Sequence, residues 1–266
     1  MSHVARITVV PVFLLALSLA VLVDVPPAAA NDQTCDHLIS APGSNTVGLT
    51  ISAPGTYCLA TDVIMAASFT TGKAITINAN YVTLDLKGHK VHGGAAGAAT
   101  LAVGIYALNR RNVTVKNGTV WGFGTGIHLD AATTAQLAGY VVDGVRAELN
   151  RLFGIQVVGA NAIVRNNVVA NTGPTTVGGS HDAEGIFVQS EGGRVLNNDI
   201  LTVTPAGAGT GYAIDVFTSD VLVVGNRITT ADVGVIFVGS SGKYRDNLTS
   251  DVGTPFTGGT NAGGNN

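Results

Sequence analysis

The feature that most constrains this chain is an isoleucine followed twelve positions later by an asparagine. The phrase runs from Ile155 to Asn167, Ile186 to Asn198, Ile214 to Asn226 and, with valine for isoleucine, Val235 to Asn247. Upstream, Ile75 to Gly88 and Ile105 to Gly118 are each thirteen positions, and Ile127 adds a further start. Successive starts fall 21 to 31 residues apart. A fixed inner spacing inside a variable outer spacing is the mark of a stacked repeat. Each turn must match its neighbour at the corners, while its loops are free to differ.

Each unit holds two strand-like runs. The first follows a Gly-Ile or Ala-Ile pair and alternates: "GIHLD", "GIQVV", "GIFVQ", "AIDVF", "GVIFV". The second reads "VTLDL", "VTVKN", "AIVRN", "RVLNN", "VLVVG". Period-two alternation belongs to half-buried strands, and no long stretch keeps a helical period. The expected fold is all-β: a single-stranded right-handed parallel β-helix. Equivalent positions then stack about 4.8 Å apart from coil to coil. Asn167, Asn198, Asn226 and Asn247 are expected to form a ladder at one corner. Asparagine tolerates left-handed backbone angles and bonds its neighbours through its amide. Asn117 and Gly118 are placed at the same corner earlier in the chain.

These coils, with "GTYCLATDV" and "AITINANYVTLDLKGHKVHG", resemble secreted bacterial right-handed parallel β-helix repeat proteins of the pectate-lyase-like superfamily. The resemblance covers roughly Cys35 to Asn247. It implies the fold directly. It implies activity only broadly, because such proteins include lyases, hydrolases, epimerases and adhesins.

The ends read differently from the coils. His3 and Arg6 precede "ITVVPVFLLALSLAVLV", and "AAAND" follows, as in a secretory signal peptide of residues 1–30 cut after Ala30. The mature chain would carry no membrane span and would be secreted or periplasmic. Export makes Cys35 and Cys58 a disulfide. Residues 31–71 are expected as an N-terminal cap, 72–250 as coils, and the Gly- and Thr-rich 251–266 as a flexible tail.

Function rests on one face. A formal net charge of -3 gives no footprint for nucleic acid. If each Ile after Gly points inward, an outward stripe follows: Tyr106 and Leu108, His128 and Asp130, Gln156 and Val158, Phe187 and Gln189, Asp215 and Phe217. Two long connections, "NTGPTTVGGSHDAE" and "VTPAGAGTGY", both precede such a strand and should emerge on the same side. They bring His181, Asp182, Glu184 and Tyr212 toward the stripe. Aromatic platforms with acids and amides suit a sugar chain, whose apolar ring faces stack while its hydroxyls hydrogen-bond.

The candidate catalytic residues are therefore His181, Asp182, Glu184 and Asp215. The candidate substrate-binding residues are Tyr106, His128, Asp130, Gln156, Phe187, Gln189, Tyr212 and Phe217. "SHDAE" faintly resembles the Asp-Pro-His-Asp stretch of alginate epimerases, with Gly179 and Ser180 where Asp and Pro would stand. His181, Asp182 and Asp215 lack any diagnostic metal spacing, so no cofactor is expected, calcium being the one ion the acids would admit. The stripe has no Lys or Arg to serve as a lyase base, though Arg151 and Arg165 are nearby. The single Gly-His, Gly88-His89, falls at a turn. Phosphate loops, paired-cysteine zinc sites and nucleophile elbows are absent. The reading is a monomeric protein that binds or processes extracellular polysaccharide as a lyase, epimerase or hydrolase. The alternative is a non-catalytic surface or adhesion module.

Overall fold

The computed structural model describes residues 34–131, 138–239 and 241–266. The expected signal peptide lies outside the described residues. From Cys35 onward the strands form one continuous parallel system, wound as a right-handed β-helix with three faces. Face A holds the strands that contain the Gly-Ile or Ala-Ile pair, such as Val103–Leu108, Phe153–Val158, Ala183–Gln189 and Gly211–Val216. Face B holds strands such as Val82–Asp85, Ile163–Arg165, Arg194–Leu196 and Leu222–Val224. Face C holds strands such as Lys90–His92, Val168–Thr172 and Asp199–Val203. The chain visits A, B and C in turn, then rises to the next coil.

The core follows from the register. Ile75, Ile105, Ile127, Ile155, Ile186, Ile214 and Val235 are consecutive partners on face A, and all are fully buried. Face B contributes the column Leu84, Val115, Val142, Val164, Val195, Val223. Face C adds Val91, Val120, Ala147, Val169, Ile200 and Ile228. Burying each large aliphatic side chain is worth about 1.5–3 kcal/mol, so stacking these columns is the main stabilising term.

The corner between faces B and C carries the ladder. Asn167 Nδ2 donates to Asn198 Oδ1 at 2.9 Å, Asn198 Nδ2 to Asn226 Oδ1 at 2.9 Å, and Asn226 Nδ2 to Asn247 Oδ1 at 2.9 Å. Each Oδ1 also accepts the backbone N–H of the rung before it. Each amide reaches a backbone carbonyl too, as Asn198 Nδ2 does to Val164 at 3.0 Å. All four asparagines are buried. One detail departs from expectation. The left-handed angle falls on the preceding residue: Asn166, Asn197, Gly225 and Asp246 have φ of 55, 53, 69 and 56°. The corner thus divides two tasks between adjacent residues, turning and bonding.

Both expected boundaries move. Leu49–Ile51, Gly55–Leu59 and Val63–Ile64 pair in register with Lys73–Ile77, Val82–Asp85 and Lys90–His92, so a full coil exists before residue 72. His37–Ile39 lies beneath it on Gly55–Leu59, and the Cys35–Cys58 disulfide fastens that end. At the other end, Leu248–Thr257 and Thr260–Asn261 continue the pairing past residue 250. Asn265 adds a further rung, accepting from Asn247 Nδ2 at 3.0 Å. Backbone pairing needs no apolar side chains, which is why a polar, Gly-rich composition concealed this last coil.

Candidate functional site

Face A presents more outward positions than simple alternation predicts. The glycine of each Gly-Ile faces inward alongside the isoleucine, because its Cα meets the next coil closely. A Cβ on Gly154 would stand 2.6 Å from the Gly185 carbonyl oxygen, and one on Gly185 would stand 2.6 Å from that of Ala213. Two consecutive inward residues reset the alternation, so the residue before the glycine, or before the buried Ala74 and Ala213 that stand in its place, faces outward. That adds a first column ahead of the other two: Lys73, Val103, Thr125, Phe153, Glu184, Tyr212. Sequence reasoning missed Lys73 and Phe153, and it took Glu184 and Tyr212 for loop residues. They lie on strands, as register partners. The expectation that this face lacks a basic residue is corrected by Lys73, whose Nζ sits 5.1 Å from the Tyr106 ring centroid. Arg165, by contrast, belongs to face B, where its Nη2 pairs with Asp143 at 2.7 Å.

The second column is Tyr106, His128, Gln156, Phe187 and Asp215, each the register partner of the next. The third holds Leu108, Asp130, Val158 and Gln189, followed on the next coil by Phe217. Two chemical zones result. Toward the N-terminal end, Tyr106 and His128 meet edge to face at 5.3 Å, and His128 Nε2 lies 3.7 Å from Asp130 Oδ2. Burial lowers the His128 pKa, opposed by Asp130 and reinforced by Lys73. Toward the C-terminal end, Phe153, Phe187 and Phe217 form a diagonal run with centroids 6.1 and 6.0 Å apart. Phe217 remains 47% exposed although its ring meets that of Phe187.

The carboxyl groups lie beside those rings. Burial pushes Glu184 up to about 8, and the charges of Asp215 and Asp182 add to it. Burial pushes Asp215 up to about 6, with Asp182 again contributing. Glu184 Oε2 and Asp215 Oδ1 are buried and have no hydrogen-bond partner. A pair of acids on neighbouring coils with separated pKa values is the arrangement that assigns one group as acid and the other as base.

The two long connections do emerge together. His181 and Ala206 form an antiparallel bridge, and Ser180 Oγ accepts the Ala208 N–H at 3.0 Å. Asp182 Oδ1 accepts the Thr210 N–H at 2.7 Å, and a His181 ring nitrogen lies 3.1 Å from the Gly178 carbonyl oxygen. Asp182 and His181 are thus both engaged within the loops. Asp182 still acts on Glu184 and Asp215 through its charge, whereas His181 is not among the groups that shift them. Among the described residues no three His, Cys, Asp or Glu side chains converge as a metal site, so His181, Asp182 and Asp215 do not form the set considered for calcium.

Concavities elsewhere include one of about 380 Å³ on face B beside Arg194, Leu222 and Lys243, and one of about 360 Å³ on face C beside His92 and Trp121. A third, about 410 Å³, flanks Phe217 and Thr218 at the corner between faces A and B.

The family model described as a right handed beta helix region matches residues 103–266. Among solved structures, the chain is similar to the Dettilon tailspike protein (gp208), at a TM-score of 0.45 and 13% identity. The likeness covers 86% of this chain and 59% of that one. No curated protein matches.

Proposed function

The chain belongs to the right-handed β-helix family, and we propose that it binds an extended polysaccharide along face A and cleaves it by acid–base chemistry. The observation that carries this reading is the buried pair Glu184 and Asp215, unpartnered on one oxygen each and set beside the run of Phe153, Phe187 and Phe217. Successive coils about 4.8 Å apart let one saccharide chain cross several of them. Phe187 and Phe217 supply apolar platforms for ring faces, while Gln156, Gln189 and Tyr212 offer hydrogen bonds to hydroxyls. With a pKa of about 8, Glu184 holds its proton at neutral pH and can donate it to a leaving oxygen. Asp215, at about 6, is largely ionised there and serves as the base or nucleophile. The charges of Asp182 and Asp215 repel an anionic ring, so the sugar at this point is neutral. The disulfide fits folding outside a reducing compartment, and we place the protein as secreted or periplasmic.

One observation favours the non-catalytic module instead. The loops that would cover the acid pair bond chiefly to one another. A panel of neutral and acidic polysaccharides, assayed for binding by calorimetry and for turnover by reducing ends, tests both readings. The proposal expects binding weakened by Phe187→Ala and turnover lost in Glu184→Gln with binding kept. Binding without turnover would leave the module. Failure of every glycan to bind, or unchanged binding by Phe187→Ala, would remove face A from consideration.

A further inference from the structure

A second site lies on face C, independent of the acid pair. His92, Trp121 and Glu148 are register partners on three successive coils, and Lys90, Thr119 and Arg146 form the parallel column two residues away. The residues between the columns, Val91, Val120 and Ala147, point into the core and are fully buried. The two columns therefore border a trench, with a cavity of about 360 Å³. Trp121 is the single tryptophan of the chain. His92 stacks against it at 4.2 Å between centroids and 16° between planes. The backbone of Gly94 packs so closely on the indole that no side chain would fit there. The platform is thus fixed before any ligand arrives, which spares the ordering cost of binding.

The polar groups around it are also set. Arg146 Nε donates to Glu148 Oε2 at 2.7 Å. Lys90 is exposed and makes no ion pair within 4 Å among the described residues, although its charge is felt at Asp62 and Glu148. His92 Nδ1 is buried and has no hydrogen-bond partner. Burial lowers the His92 pKa, with Lys90 adding to the effect and a contact with its own backbone and the charge of Asp62 opposing it.

We infer that this trench binds an acidic sugar unit, a hexuronate, with its ring against Trp121 and its carboxylate at Lys90. A ring platform, a buried unsatisfied imidazole nitrogen and a cation held apart from any close counter-ion are the three elements such recognition requires. The trench recognises the ligand without reacting with it. Its place on a different face allows it to hold one part of a polymer while another part crosses face A.

Trp121 is its own reporter. Tetragalacturonate titrated into the full-length mature protein should change the indole emission saturably. Lys90→Gln, an exposed substitution, should weaken that response about tenfold, the loss expected for one charge-assisted hydrogen bond. Phe187→Ala should leave it unchanged, which separates this site from face A. Maltotetraose and cellotetraose should produce no comparable signal. The inference is overturned if tetragalacturonate leaves the emission unchanged. It is equally overturned if Lys90→Gln binds as well as the unsubstituted protein, if neutral tetrasaccharides match the acidic one, or if Phe187→Ala abolishes the signal.

Discussion

The corner between faces B and C is built in two ways along one solenoid. In the later coils, Asn167, Asn198, Asn226, Asn247 and Asn265 form an amide column that runs to the end of the chain. In the earlier coils the same position is held by His89, Gly118 and Val145. There the polar work falls to Asp85, which is 3% exposed. Its Oδ1 accepts the Lys87 N–H at 2.9 Å and the Asn117 amide at 3.3 Å, and its Oδ2 lies 3.5 Å from Lys116 Nζ and 3.9 Å from Lys87 Nζ. The left-handed residue is common to both halves: Gly88, Asn117 and Gly144 turn as Asn166 and Asn197 do.

The difference lies in what each group can do. An amide donates on one side and accepts on the other, so it repeats indefinitely. A carboxylate only accepts, so it gathers donors around itself and cannot stack on its own kind. Backbone conformation is therefore common to every coil, whereas the means of satisfying it is local.

The sharpest way to break this comparison is Asn198→Leu. It leaves the Asn167 N–H and amide, the Val164 carbonyl and the Asn226 amide oxygen short of partners. The expected loss is at least about 3 kcal/mol in urea unfolding, independent of salt. Asp85→Ala should cost about 2 kcal/mol, and that cost should shrink in high salt, since its lysine partners are partly solvated. Equal salt dependence in both variants would mean the two corners are held by the same physics.

A smaller effect separates the corner from face A. Glu184 has its folded pKa raised from 4.5 to about 8, so between those values the unfolded chain releases a proton that the folded chain keeps. Stability contributed by this group is full below about 4.5 and falls as pH rises toward 8. Glu184→Gln should therefore raise the melting temperature by a few degrees at alkaline pH, with the gap closing in acid. Asn198→Leu should show no such pH dependence. The smallest effect is expected for Asn197→Gly. Its φ of 53° suits glycine, so unfolding should shift by roughly 0.5 kcal/mol or less.

The later coils were legible in the sequence because the ladder asparagines sit at one fixed distance from the inward isoleucines. The coil from Leu49 to Ile64 was not, since no asparagine marks its corner and Leu49 stands where the others have isoleucine. On face A, the shared outward column of Phe187 and Asp215 follows from alternation. Phe153 precedes the inward Gly154 and Lys73 the inward Ala74, and a strict period of two counts such positions as buried. Trp121 gave no signal, because its meaning depends on His92 one coil earlier, 29 positions away in the chain. What crosses coils is invisible until the stacking register is known.

The self-complementary amide also frees the length of the molecule. Any rung from Asn198 to Asn247 meets the same donors below and the same acceptors above. A whole turn duplicated or removed within this segment would rejoin without leaving a mismatched seam. The same edit around Asp85 would strand one carboxylate or two lysines. Growth and shortening are thus permitted at one end of the solenoid and resisted at the other, and the length of face A is adjustable from the ladder side.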